Sequence, residues 1–153
     1  MYNLSNLLES NFSETLSELM SMRNLNAEEL SEKITVDRST ITRYLEGKTI
    51  PMLPNAIEIA DYFGCSLDYL FCLTNEFNEK KYSACPPFYQ AFQEILKIRK
   101  CTRYRLGKDN KFPNNTLVDW FYGRRLPRID NVIKIANYFG CTLDEIVGRK
   151  SIE

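Results

Sequence analysis

The sequence predicts an all-α protein in which one five-helix unit occurs twice, and three observations carry that prediction. Residues 12–74 align with residues 88–150 without a gap, at an offset of 76. Apolar residues within each copy recur at i, i+4, i+7 and i+8, which places them on one face of a helix. No stretch alternates apolar and polar residues as a half-buried strand does. The aligned identities include Phe12/Phe88, Arg23/Arg99, Leu30/Leu106, Thr40/Thr116, Gly47/Gly123, Pro51/Pro127 and Asn55/Asn131. They are densest where Ile57–Asp68 meets Ile133–Asp144. The organisation read from this is a first unit at 1–74 with a short N-terminal extension, a linker at 75–87 and a second unit at 88–153. The linker, N-E-F-N-E-K-K-Y-S-A-C-P-P, is polar and ends in two prolines.

The helices follow in order. Phe12, Leu16, Leu19 and Met20 form the buried stripe of the first, repeated by Phe88, Phe92, Ile95 and Leu96. Leu4, Leu7 and Leu8 precede that stripe outside the repeat, where they would cap the first core or, alternatively, supply a dimer contact. The second helix starts at Asn26, with Glu29 placed for a capping box. Its counterpart starts at Thr102, with Arg105 where the glutamate stood. Leu30 and Ile34 point inward, and the small residues Ser31 and Gly107 fit a close helix crossing.

The third helix opens at the N-cap Asp37, or at Pro113, which suits a first turn because no N–H is needed there. Ile41 with Tyr44 and Leu45, and Leu117 with Trp120 and Phe121, face the core. Gly47 and Gly123 fit the left-handed position that ends a helix. A fourth helix runs from about Pro54 or Asp130 to Phe63 or Phe139, and Ser66 or Thr142 caps a short fifth. Tyr62-Phe63 and Tyr138-Phe139 read as core aromatics, and Cys65 and Cys141 as small buried residues.

Composition narrows the chemistry. An apolar fraction of 44% and a charged fraction of 26% are those of a globular protein. No apolar run approaches the ~18 residues that cross a bilayer, and no signal peptide opens the chain, so the expected compartment is the cytosol. Five scattered cysteines without a C-x-x-C pair predict reduced thiols and no metal site. With no histidine, the usual general base near neutral pH is missing and a Ser-His or Cys-His nucleophile is excluded. No cofactor and no enzymatic activity are expected. The net charge of zero conceals a dipole. Residues 1–74 carry 5 basic and 11 acidic side chains (5 − 11 = −6), and residues 75–153 carry 15 and 9 (15 − 9 = +6).

The run A-E-E-L-S-E-K-I-T-V-D-R-S-T-I-T-R-Y-L-E-G-K-T-I-P, followed by I-E-I-A-D-Y-F-G-C-S-L-D-Y-L, resembles the Cro/repressor-type helix-turn-helix family, also called XRE or lambda-repressor-like. The resemblance covers nearly all of both units. It implies five-helix domains whose second helix braces the DNA backbone and whose third enters the major groove of double-stranded DNA. Carried over residue by residue, it makes Arg38, Ser39, Thr42 and Arg43 base-reading residues of the first unit. Asn114, Asn115, Val118 and Asp119 occupy the same face of the second. Arginine pairs with guanine O6/N7, asparagine with adenine N6/N7, aspartate with cytosine N4, and valine can touch a thymine methyl. Lys48, Arg103, Lys111, Arg124 and Arg125 become phosphate contacts.

Departures from the family pattern accompany the match. Where glycine commonly stands between helices two and three, this chain has Thr35 and Lys111, neither of which takes positive φ cheaply. Asn110 is a better left-handed residue, so the second turn is expected to shift by one. The function implied is a transcriptional regulator, a repressor by family habit, in which one chain acts as a pseudo-dimer on two half-sites. The competing reading is a protein-interaction or antitoxin-like adaptor, with the acidic first unit meeting a protein partner or a second copy of the chain. Glu28, Glu29 and Glu32, where phosphate would approach, motivate that alternative.

Overall fold

The computed structural model describes residues 4–152, with side chains from residue 7 onward. Two compact units divide between Lys81 and Tyr82. Each is a five-helix unit of the predicted kind. The first comprises α1 (Leu4–Met22), α2 (Ala27–Lys33), α3 (Arg38–Leu45), α4 (Leu53–Phe63) and α5 (Leu67–Leu70). The second comprises α6 (Phe88–Ile98), α7 (Arg103–Asn110), α8 (Asn114–Phe121), α9 (Ile129–Phe139) and α10 (Leu143–Val147). The strands β1 (Lys81–Tyr82) and β2 (Ser151–Ile152) add a two-residue ladder that the sequence pattern did not announce.

In the first unit, Phe12 is completely buried and stands edge-on to Tyr44, with ring centroids 5.3 Å apart, while stacking on Phe71 at 5.4 Å. Ile41, Leu30, Ile59 and Leu67 close the same core. In the second unit Trp120 takes the place of Tyr44 and meets Phe92 and Phe112 edge-on, at 6.2 and 5.2 Å. Burying an aromatic ring contributes both area and a specific pairing geometry. Gly107 works as expected: a Cβ there would lie 2.6 Å from Leu117 Cδ1, so α7 and α8 cross too closely for a side chain.

Several expectations require correction. Leu7 is exposed and Leu8 half-buried, so neither joins the buried core; the side chain of Leu4 lies outside the described residues. Tyr138 is a surface residue whose hydroxyl donates to Asp109, and Cys141 is half-exposed although Cys65 is buried. Leu45 and Phe121 lie at the edge of their cores and are only half-buried. Pro113 is the N-cap of α8, extended at φ −61 and ψ 143, and does not enter the first turn. The turn into α8 does not shift: Lys111 itself is left-handed at φ 58, while Asn110 completes α7 and donates its side-chain amide to Leu106 O.

The 75–87 segment does not run free over its whole length. Phe77 packs on Tyr69, Glu79 pairs with Arg23, and the Lys80 N–H donates to Gly64 O, all within the first unit. Within the second unit, Tyr82 lies under the Arg149 guanidinium at 3.6 Å, and the Ser83 N–H donates to Lys150 O. Among the described residues no helix is long and apolar enough to cross a membrane. No group of His, Cys, Asp or Glu among them is arranged to hold a metal ion.

Candidate nucleic-acid interface

Each unit has its own candidate interface helix, α3 in the first and α8 in the second, each pinned to its core by one face. Ile41 and Tyr44 anchor α3; Leu117 and Trp120 anchor α8. Helical spacing then sends the intervening residues outward. Arg38, Ser39 and Arg43 are exposed and Thr42 is half-exposed; on α8, Asn114 and Asn115 are exposed and Val118 and Asp119 half-exposed. All eight predicted reading residues therefore reach the surface of their helices.

Both helices end in the same way. The Lys48 N–H donates to Arg43 O and the Arg124 N–H donates to Asp119 O, each bridging a left-handed glycine at φ 70 (Gly47) or 76 (Gly123). A side chain on the preceding long helix secures the last carbonyl. Ser13 Oγ donates to Leu45 O at 2.7 Å, and Gln93 Nε2 donates to Phe121 O at 2.8 Å. Sequence reasoning missed these two residues because they do not occupy matching positions of the repeat. Only their acceptors match.

The starts of the two helices differ. Asp37 caps α3 by accepting from the Thr40 N–H at 2.7 Å and the Ser39 hydroxyl at 2.9 Å. The Thr40 bond, more than any other, holds the Asp37 carboxyl below the usual carboxylate range. Ser39 is thus partly engaged by its own cap. Thr42 likewise donates its hydroxyl to Arg38 O at 2.9 Å. Ahead of α3, both the N–H and the hydroxyl of Thr35 donate to the Glu58 carboxylate. The aligned pair in the second unit is Lys111 and Lys134, and the Lys134 ammonium instead lies 5.9 Å from the Phe112 ring centroid.

The predicted phosphate-contacting residues divide by environment. Arg103 is half-buried at the N-terminus of α7, its guanidinium 4.3 Å from the Phe121 ring centroid and 5.4 Å from that of Tyr122. Arg124 lies 5.5 Å from the same Tyr122 ring. Stacking of this kind holds an arginine in place while leaving its N–H edges available. Arg125 turns back to Asp119 at 3.7 Å, so its charge offsets the carboxylate on the reading face. Lys111 is exposed, and Lys48 pairs with Glu46.

A groove lies beside the second helix of each unit. In the first it measures about 550 Å³ between Met20, Asn24, Ala27 and Leu45. In the second it measures about 320 Å³, with Arg103 standing where Ala27 stood and Lys97 and Lys100 at its rim. The N-terminus of α2 is occupied by its own side chains: Asn26 accepts from the Glu29 N–H at 2.8 Å, and the Glu29 carboxylate accepts from the Asn26 N–H. In α7, Thr102 caps the Arg105 N–H at 3.1 Å and no carboxylate faces the terminus from that position. A phosphate therefore meets repulsion at α2 and attraction at α7.

Comparison with known proteins agrees with this architecture. The family model described as helix-turn-helix matches residues 16–70 and again 102–146. An uncharacterized HTH-type transcriptional regulator of Rickettsia prowazekii (strain Madrid E) is 36% identical over 62 residues, covering 38% of this chain and 67% of the relative. A second, from Rickettsia conorii (strain ATCC VR-613 / Malish 7), is 36% identical over 62 residues, covering 38% of this chain and 57% of the relative. No solved structure matches the chain. With the pattern present once in each unit and over most of the chain, this protein belongs to the helix-turn-helix family.

Proposed function

We propose that this chain is a non-enzymatic, sequence-specific DNA-binding transcriptional regulator acting in the cytosol, with α3 and α8 entering successive major grooves of double-stranded DNA. One observation carries the reading: both helices bury an aromatic anchor, Tyr44 or Trp120, and hold the opposite polar face toward solvent. The relatives named as HTH-type transcriptional regulators support it. The second unit anchors the chain through Arg103, Lys111 and Arg124 on phosphates, while Arg38 and Arg43 of the first unit discriminate bases. Regulation is by repression, since a protein seated in two grooves occludes the duplex. Two linked units serve as a pseudo-dimer, covalent linkage raising the effective concentration of the second contact.

Selection of bound sequences from a random duplex library tests this reading. Arg38→Ala/Arg43→Ala and Asn114→Ala/Asn115→Ala are expected to relax specificity at different positions of the site. Unchanged selection by both variants would refute the reading faces.

A second reading is favoured by the Glu29 carboxylate at the N-terminus of α2. In it the first unit leaves DNA to the second and meets a protein partner or a second copy of the chain. Loss of the Arg38/Arg43 effect, with the Asn114/Asn115 effect retained, is the outcome that selects it.

A further inference from the structure

The turn that ends the third helix is a charged pair in the first unit and an aromatic pair in the second. Leu45, Glu46 and Lys48 align with Phe121, Tyr122 and Arg124, and Ala27 aligns with Arg103. The Lys48 ammonium is held by the Glu46 carboxylate, so the cation of the first turn already has an anion beside it. In the second unit a ring stands where that carboxylate stood.

This ring serves two cations. Phe121 and Tyr122 meet edge-on, with centroids 5.1 Å apart and planes at 75°. The Arg103 guanidinium, arriving from α7, lies 4.3 Å from the Phe121 centroid and 5.4 Å from that of Tyr122. The Arg124 guanidinium, arriving from beyond Gly123, lies 5.5 Å from the Tyr122 centroid. Among the described residues neither arginine is paired with a carboxylate. The turn itself is held from the preceding long helix. Gln93 Nε2 donates to Phe121 O, and a Cβ on the left-handed Gly123 would meet the Tyr89 ring at 2.8 Å. At the aligned Gly47 a Cβ would come no nearer than 4.0 Å, to Ser13 Cβ. The second turn is thus the more closely packed of the two, and it carries two cations on one aromatic support.

We infer that Tyr122 is a positioning residue that gathers Arg103 and Arg124 into one clamp for backbone phosphate of the duplex, an inference that rests on the proposed function. Its ring fixes the guanidinium planes and leaves their N–H edges for phosphate oxygens. Contacts of this kind add affinity without reading sequence. The first unit, with Glu46 at the same place and Ala27 in place of Arg103, has no such clamp.

The test uses the full chain and a labelled duplex of random sequence, titrated at several salt concentrations. Tyr122 is 55% exposed, so its replacement leaves the core intact and the urea midpoint unchanged. Tyr122→Leu is expected to weaken binding about fivefold at every salt concentration, because stacking is lost while both charges remain. The salt dependence therefore keeps its slope, whereas Arg103→Ala lowers it. Tyr122→Phe keeps the ring and is expected to bind as the unaltered chain does. Tyr122→Glu, which introduces the first unit's residue, is expected to weaken binding further and to reduce the slope. In an Arg103→Ala/Arg124→Ala background, Tyr122→Leu is expected to have no further effect. Equal binding by the unaltered and Tyr122→Leu chains overturns the inference. So does a loss that Tyr122→Phe shares, or one that persists without the two arginines. A failure of the unaltered chain to bind duplex at all is a different result: it overturns the proposed function, and this inference with it.

Discussion

In the first unit the turn into α3 is held by a carboxylate; in the second the turn into α8 is held by backbone hydrogen bonds to Gly107 O through a left-handed lysine. Thr35 keeps a negative φ, and Glu58 of α4 accepts both of its donors. Lys111 adopts φ 58, and α9 contributes the cation Lys134 in place of Glu58. One fold thus tolerates two ways of turning the chain, and they leave opposite charges beside the third helix of each unit. The same exchange recurs along the second helix, where Glu28, Glu29 and Glu32 align with Tyr104, Arg105 and Lys108. Shared apolar anchors maintain the architecture, so the polar positions are free to diverge. That divergence gives the two units opposite charge along their second helices.

The comparison can be broken hardest at its anchors. Trp120→Ala empties a fully buried site and is expected to cost about 3–5 kcal/mol, read from urea unfolding of the full chain. Tyr44→Phe removes only the hydroxyl that accepts from Asn55 at 3.2 Å, and is expected to cost about 1 kcal/mol. Equal losses would mean that the two aromatics do not play matched roles.

Next in size come the proposed phosphate contacts. Arg103→Ala is expected to weaken duplex binding about tenfold or more and to reduce the salt dependence by about one phosphate contact. Lys48→Ala, whose ammonium already pairs with Glu46, is expected to change affinity less. A larger effect at Lys48 would reverse the proposed division between anchoring and discriminating units. Titrations of a labelled duplex at several salt concentrations decide it.

The turns give a smaller and signed effect. Lys111→Gly relieves a left-handed lysine and is expected to raise stability by about 0.5–1 kcal/mol. Thr35→Gly relieves nothing and discards a hydroxyl bond, and is expected to lower stability by about 1 kcal/mol. Denaturant midpoints of the two variants, measured side by side, should move in opposite directions.

The smallest expected effect is a pH dependence confined to the first unit. Asp37 titrates below its ordinary value because Thr40 and Ser39 donate to its ionised form. Its contribution is therefore complete above the unfolded carboxylate pKa of about 4, and declines as pH falls through the lower folded value. The aligned Pro113 has nothing to titrate. Asp37→Asn is expected to flatten this part of the stability profile between about pH 5 and pH 2. A profile identical to that of the unaltered chain would remove Asp37 as its source.

Much of the fold was legible because repetition and helical spacing are local signals. Leu16, Ile41 and Leu117 announce their burial by period alone, and Asn26, Asp37 and Thr102 announce their caps by type and place. The outward polar faces of α3 and α8 were legible for the same reason, since whatever lies opposite a buried stripe is exposed. The stacking of Arg103 on Phe121 was not legible, nor the return of Arg125 to Asp119. Both depend on where a flexible side chain settles once a neighbouring helix is packed. Tyr138 misled because its aligned partner Tyr62 sits beneath Arg23, a cover that only the folded first unit supplies.

By itself, the sequence determined that one helical unit is written twice, which face of each helix is apolar, and where opposite charges collect. Those properties follow from residue type and spacing, and survive any rearrangement of side chains. Only the tertiary structure decided which turn is strained and which is held by a carboxylate, and which arginine is stacked and which is paired. It alone decided that residues 79–80 fold back over the end of α4 in the first unit. These outcomes depend on contacts between residues distant in the chain, which exist only after the helices have packed.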